Sequence, residues 1–191
     1  MNIDLEVPPS CDLGLPCGWF SANDIAAYRR LAEQIPDESV LVEVGVWQGR
    51  SLCSIAEQII KKRLRVYAVD TFKGTPGVGV VHDCGGKLQE VFEKHSIEFG
   101  LRDYVTVLRG DSVAVAENLA ESCALVFIDG DHSPEKVTAD VQAWLRRLAP
   151  EGLLCGHDYA IVGTVVEKIL RPYSISVTID PNSEVWWADR R

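Results

Sequence analysis

The sequence predicts one α/β domain on a largely parallel sheet of about seven strands, and three observations predict it. Short apolar runs, among them Val40–Val46, Arg65–Asp70 (RVYAVD) and Cys123–Ile128 (CALVFI), alternate with longer stretches of helical periodicity. The first run leads through a glycine turn, Gly45 to Gly49, into the helical pattern SLCSIAEQIIKK that begins at Ser51. Polar residues gather just after the strands, at the sheet edge where such folds hold their ligands. They are Asp70 after the second strand, Asp129-Gly130-Asp131-His132 after the fourth and His157-Asp158-Tyr159 after the fifth.

Each element follows from its residues. Residues 1–20 carry three prolines and no periodicity, an irregular lead-in that Trp19-Phe20 pins to the domain. Ser21 to Ile35 is an amphipathic helix, capped by Ser21 or Asn23 and closed by Pro36. Its apolar face is Ile25, Tyr28, Leu31, Ala32 and Ile35. The first strand lacks alternation because both its faces are covered, and Glu43 is its one carboxylate. Thr71 to Gly86 is glycine-rich and longer than an ordinary connection, which reads as a mobile loop covering the site. Lys87 to Phe99 is a helix, Tyr104 to Leu108 the third strand, and Gly110-Asp111-Ser112 a turn into the next helix. Cys123–Ile128 is followed by a helix from Ser133 to Leu148, with Pro134 in its first turn. Pro150 and Gly152 punctuate before the fifth strand, Leu153 to Gly156. A helix near Gly163 to Leu170 and two strand-like runs, Ser174 to Ile179 and Glu184 to Asp189, complete the chain. Trp186 and Trp187 cannot both face one side of a strand. One belongs to the core, the other to an exposed patch or a subunit contact, with a homodimer as the expectation.

Composition narrows the partners. Net charge is −9, and the longest basic run is Lys61-Lys62-Arg63, which weighs against a nucleic-acid backbone or an anionic membrane. No apolar run approaches the roughly 18 residues of a membrane span, and MNIDLEVPPS is no signal peptide, so a soluble cytoplasmic protein is expected. The six cysteines do not read as a disulfide framework. Cys53, Cys123 and Cys155 lie in apolar elements as small hydrophobes, and Cys11, Cys17 and Cys84 lack the CxxC spacing of a metal site.

By residue type the glycine turn reads as a ligand cradle, yet it is neither the dinucleotide fingerprint nor a P-loop. Glu43 beside it disfavours a phosphate and suits a ligand bearing positive charge or hydroxyls. Asp70 lies about 20 residues beyond Gly49, the distance at which nucleotide-binding folds set an acid on a ribose diol. Asp111 either caps its helix or faces the ligand. His132 and His157 either take part in chemistry or order strand ends by hydrogen bonds. His82-Asp83 either reaches into the site when the loop closes or is an exposed loop pair, and His95 reads as solvated.

The segments EVGVWQGRS, AVDTFKG, RGDS and FIDGDHSPEKVTADVQAWLRRLAPEGLLCGHDY, in this order, resemble class I S-adenosylmethionine-dependent methyltransferases. The similarity is greatest to the macrocin O-methyltransferase and cephalosporin-hydroxylase-like branch, over about residues 38–160. It implies a Rossmann-like three-layer α/β/α sandwich, a seven-stranded mostly parallel sheet with an antiparallel last strand. Residues 1–37 are then a lead-in and helix, and 38–191 the S-adenosylmethionine-binding domain. Cofactor-binding positions implied are Glu43, Gly45, Gly49, Ser51, Asp70, Thr71, Phe72, Asp111, Ser112 and Asp129. Phe72 would flank the adenine or line the pocket, and Asp111-Ser112 would sit at the adenine edge. In this branch the acid at Asp129 joins two acids after the fifth strand to hold a divalent ion. Here that pair is His157-Asp158, so the implied metal set is Asp129, His157 and Asp158, with Mg²⁺ or Mn²⁺ and metal dependence open. Asp131 matches the family's base position and ranks ahead of His132, whose intrinsic pKa is the better placed. The function implied is methylation of a hydroxyl on a small molecule or sugar, with or without the assistance of a metal. The alternatives are a non-catalytic cofactor-binding protein and a metal-dependent hydrolase or hydroxylase using Asp129, His132, His157 and Asp158.

Overall fold

The computed structural model describes residues 10–74 and 84–189. In chain order the elements are α1 (Ala22–Gln34), β1 (Val40–Val44), α2 (Arg50–Ser54), α3 (Ala56–Lys62) and β2 (Arg65–Asp70). There follow α4 (Leu88–Glu98), β3 (Val105–Arg109), α5 (Ser112–Asn118), β4 (Cys123–Ile128) and α6 (Pro134–Leu145). The last are β5 (Leu148–Gly156), α7 (Tyr159–Leu170), β6 (Val177–Ile179) and β7 (Trp186–Asp189). The sheet runs β3-β2-β1-β4-β5-β7-β6. Pairings from β3 through β5 are parallel, and β7 is antiparallel to both β5 and β6. The seven strands and the antiparallel ending agree with the sequence reading.

Two apolar clusters fill the two faces of the sheet. One joins α1, α2, α3 and α4 through Tyr28, Leu31, Leu52, Ile59 and Phe92. The other joins α6 and α7 through Val141, Trp144, Val162 and Val166. Trp186 is buried in the second cluster, whereas Trp187 is half-buried against the first, so the adjacent tryptophans do split between faces. Ser21 caps α1 in a reciprocal capping box with Asp24. The single helix expected after the glycine turn is broken at Ile55 into α2 and α3. The strand expected at Leu153 begins at Leu148, and Pro150 and Gly152 fall where its register with β4 shifts.

The lead-in departs from expectation. Cys11 and Cys17 form a disulfide, which rules out a metal set built on them with Cys84. An antiparallel bridge between Ser10 and Gly18 brings the two cysteines together. That pairing is made by backbone hydrogen bonds that leave no periodic trace in so short a stretch. Tyr28 and Phe20 carry α1 and the lead-in into the same core as the sheet.

The tightest point is the junction of β1 and β4. Gly45 has φ +84°, and a Cβ built on it would lie 2.1 Å from the Asp129 carbonyl oxygen. The glycine is thus required by the protein's own backbone. Gly45→Ala should cost about 3 kcal/mol through clash and left-handed strain, read as a lower urea midpoint. An unchanged midpoint would contradict this packing.

Candidate functional site

The carboxyl ends of five strands are stitched together by single amides. Gly110 N–H donates to the Asp70 carbonyl (3.0 Å) and Gly45 N–H to the Val69 carbonyl (2.8 Å). Asp129 N–H donates to the Val44 carbonyl (2.8 Å) and His157 N–H to the Ile128 carbonyl (3.2 Å). Asp70, Gly45, Asp129 and His157 therefore stand in a row along one edge, with the strand-order reversal between β1 and β4 at its centre.

Asp70 organises the β2 end of that row. Its Oδ2 accepts from Trp47 N–H (2.9 Å) and its Oδ1 from Phe72 N–H (2.7 Å). Trp47 and Phe72 both hold positive φ, unusual for aromatic residues, and the carboxylate pins both. Burial raises the Asp70 pKa, and these amides oppose it. The carboxylate remains half-exposed with further lone pairs, so it fits a diol. Thr71 beside it is exposed. Phe72 is turned into the core against Phe92, with ring centroids 5.9 Å apart, rather than standing clear to flank an adenine.

Glu43 and Ser51 are buried beneath the turn. Glu43 has no exposed surface; Tyr28 Oη donates to its Oε2 (2.9 Å) and Ser51 Oγ to its Oε1 (2.5 Å). Burial pushes its pKa from an ordinary 4.5 up to about 8, against the pull of those two hydrogen bonds. Glu43 thus braces α1 and α2 against β1 from below the turn. Gly49, with φ +89°, sits 3.0 Å by its Cβ direction from the Phe92 ring.

A second polar group spans β4, β5 and α1. His132 Nε2 lies 3.0 Å from Asp158 Oδ2, and donor atoms of Asp129, His132 and Asp158 all fall within 4.8 Å of one another. His157, expected among the metal ligands, is instead buried among carboxylates. Its Nδ1 is 3.2 Å from Asp158 and 3.8 Å from Asp129, and its Nε2 is 3.3 Å from Asp24. Burial alone would lower the His157 pKa, but Asp158 and Asp24 hold it well above the usual histidine value. Burial raises the Asp129 pKa and His157 partly offsets this. Asp158 is half-buried, which works to raise its pKa, yet His132 and His157 pull it below the usual carboxylate range. The hydrogen bond to Asp158 raises His132 in turn. The acids around His157 favour its charged form, and His132, where His157 is expected, is the histidine grouped with Asp129 and Asp158.

The other candidates sit at helix starts. Asp131 is exposed and accepts from Ser133 N–H (2.7 Å), which lowers its pKa and makes it a weak base. Asp111 caps α5 through Val113 and Ala114 N–H and pairs with Lys136 at 3.1 Å. Ser112 Oγ accepts from Trp144 Nε1 (2.7 Å), joining α5 to α6. His95, expected to be solvated, is half-buried with Nδ1 2.9 Å from the Gln48 carbonyl of the glycine turn. His82 and Asp83, and most of the loop expected over the site, lie outside the described residues.

Sequence reasoning missed Asp24, Trp47 and Arg50. Asp24 carried one signal, the Ser21-x-x-Asp24 spacing of a capping box. Arg50, between Gly49 and Ser51, carried none.

A parallel sheet in this order, with an antiparallel β7 and acids along its carboxyl edge, is the class I S-adenosylmethionine-dependent methyltransferase fold. The chain belongs to the methyltransferase-domain family, whose profile matches residues 42–159. The O-methyltransferase NovP superposes with a TM-score of 0.67 at 20% identity, over 88% of this chain and 79% of that one. The precorrin 8w decarboxylase of Methanobacterium thermoautotrophicum gives 0.65 at 18%, over 96% and 98%. An O-methyltransferase from Bacillus cereus in complex with SAH gives 0.65 at 15%, over 93% and 85%. At such identities the likeness concerns the fold. No curated protein matches by sequence, and no helix among the described residues is long and apolar enough to cross a membrane.

The buried Glu43 gives a pH test. Its proton is held more tightly in the folded than in the unfolded chain, so its stabilising effect is complete below about pH 4.5 and is lost towards pH 8. Wild-type stability should fall across that window with a slope contribution of up to about 1.4 kcal/mol per pH unit. Urea midpoints of Glu43→Gln should lose this contribution; an identical slope in the two proteins would refute it.

Proposed function

We propose that the protein is an S-adenosylmethionine-dependent methyltransferase that methylates a hydroxyl of a small molecule or sugar. One observation carries the reading. Asp70, the Gly45–Gly49 turn and the Asp129–His132–Asp158 group stand in succession on one sheet edge, at the ends of β2, β1, and β4 with β5. The domain match over 42–159 contains all of them, and NovP and the Bacillus cereus protein are themselves O-methyltransferases. The decarboxylase among the fold neighbours means that the edge, and not the fold, has to support the reaction.

When bound, S-adenosylmethionine supplies an electrophilic methyl group. Asp70 accepts hydrogen bonds from the ribose diol, and the Gly45–Gly49 turn holds the methionine end, braced from beneath by Glu43. The acceptor oxygen must lose its proton as it attacks. His132 takes that proton at Nδ1, because its Nε2 side is engaged by Asp158 at 3.0 Å. Asp131, exposed and occupied at the start of α6, is the poorer base. The spacing of Asp129, His132 and Asp158 favours a second reading, in which a divalent ion binds there. Mn²⁺ suits the nitrogen better than Mg²⁺ does, and His132 would then be a ligand instead of a base.

Release of S-adenosylhomocysteine over a panel of sugars, sugar nucleotides and small polyols tests the proposal. Turnover is expected, with His132→Gln lowering it by about 10²–10⁴-fold and Asp131→Ala leaving it within a few-fold. Activity that survives EDTA supports the base, whereas activity abolished by EDTA and restored by Mn²⁺ supports the ion. Full turnover by His132→Gln rejects both. Donor binding without release over the whole panel would favour a cofactor-binding protein without transfer chemistry.

A further inference from the structure

The lead-in is bound to the candidate cofactor turn from the outside, and its own shape depends on one disulfide. Cys11 and Cys17 close a hairpin whose ends pair through Ser10 and Gly18, with N–H to carbonyl distances of 2.9 and 3.0 Å in the two directions. Within it Leu13 and Gly14 both hold positive φ, a conformation that the leucine disfavours. Cys11 is exposed and Cys17 half-buried, so a reductant can reach the bond.

Arg50 makes the connection. It is the first residue of α2, directly after Gly49, and is only 3% exposed. Its Nε donates to the Phe20 carbonyl (2.7 Å), and its Nη1 to those of Pro16 (2.9 Å), Ser10 (3.3 Å) and Asp12 (3.4 Å). Its Nη2 pairs with the Asp12 carboxylate. Nearly all the hydrogen bonds that let this charge be buried thus come from the hairpin. A buried guanidinium stripped of such partners is strongly disfavoured, so Arg50 cannot stay in place if the hairpin opens. A Cβ on Gly18 would lie 2.8 Å from Arg50 Cδ, which shows how closely the two are fitted.

The hairpin also reaches the site through aromatic rings. Trp19, 43% exposed, lies on Trp47 with centroids 4.8 Å apart, and the Trp47 amide is the one held by Asp70. Phe20 packs on His157, with centroids 5.0 Å apart. The lead-in therefore touches the turn after β1 and the end of β5 at once.

We propose that the Cys11–Cys17 disulfide is a redox control on the cofactor site: closed, it holds Arg50 and Trp47 and so the Gly45–Gly49 turn; reduced, it releases them and weakens cofactor binding. The reductant is a dithiol. It closes to its own disulfide and delivers two electrons and two protons, one of each to each cysteine sulfur. Of the other cysteines, Cys53, Cys123 and Cys155 are buried as thiols, and Cys84 is half-buried with its Sγ accepting from Gln48 of the turn (3.4 Å); the Cys11→Ser/Cys17→Ser variant keeps Cys84 and so separates its thiol from the disulfide.

This rests on the methyltransferase reading, and the test separates the two. S-adenosylhomocysteine is titrated calorimetrically into the oxidised full chain, into the same protein after dithiothreitol, and into the Cys11→Ser/Cys17→Ser variant. Hydrogen exchange of residues 45–50 is followed in parallel. The dissociation constant should rise about tenfold or more on reduction, return on reoxidation, and be high in the variant. Exchange at 45–50 should quicken while the far-ultraviolet circular dichroism of the sheet is kept. A dissociation constant unchanged within twofold between oxidised and reduced wild type overturns the control. If the oxidised chain binds no S-adenosylhomocysteine, the cofactor reading fails, and exchange alone then decides whether the disulfide holds the turn. Equal exchange in the two states overturns that as well.

Discussion

The close approach of β1 and β4 at their carboxyl ends is the constraint on which the rest depends. Gly45 leaves room for the Asp129 carbonyl where any side chain would collide. Because the two strands meet there, the Gly45–Gly49 turn lies beside Asp129, and β2 and β5 fall in on either side in register. The amides of Gly45, Asp129 and His157 each hook the neighbouring strand at the same level. A side chain at position 45 would part the strands and separate the acid of β2 from the polar group of β4 and β5.

Around that junction, charge is handled by burial in pairs. Glu43 is kept in the core by two hydroxyl donors and by retaining its proton. His157 is kept there by Asp24, Asp129 and Asp158, which favour its charged form and so tie the start of α1 to the end of β5. Arg50 is kept there by the lead-in carbonyls. Of these, His157 reaches Asp158 and so supports the His132–Asp158 pair from beneath, whereas Asp70 is held by the amides of Trp47 and Phe72.

Much of this was legible in the sequence. The spans of β2 and β4 coincide with the apolar runs RVYAVD and CALVFI, and the antiparallel ending follows from the family resemblance. Asp70, Asp129, His132 and Asp158 were placed by their position after strands, which the period of the sheet makes readable. What could not be read depends on three-dimensional pairing. Nothing local says that His157 faces Asp24, which is remote in sequence, or that Arg50 faces Pro16 and Phe20. Residue type alone makes the glycines a ligand cradle, because sequence does not show what stands opposite. The resemblance implies that Phe72 flanks the adenine or lines the pocket, and nothing local shows that its ring stands against Phe92. The Cys11–Cys17 pair was discounted because a single hairpin closure has no framework spacing.

On the proposed function, this edge binds the methyl donor through Asp70. The most direct measurement is a calorimetric titration of the oxidised wild-type chain and of Asp70→Ala with S-adenosylhomocysteine. Micromolar binding by the wild type is expected, weakened by about 1.5–3 kcal/mol in the variant through loss of charge-assisted hydrogen bonds. Equal binding by both proteins, or none by the wild type, would contradict it.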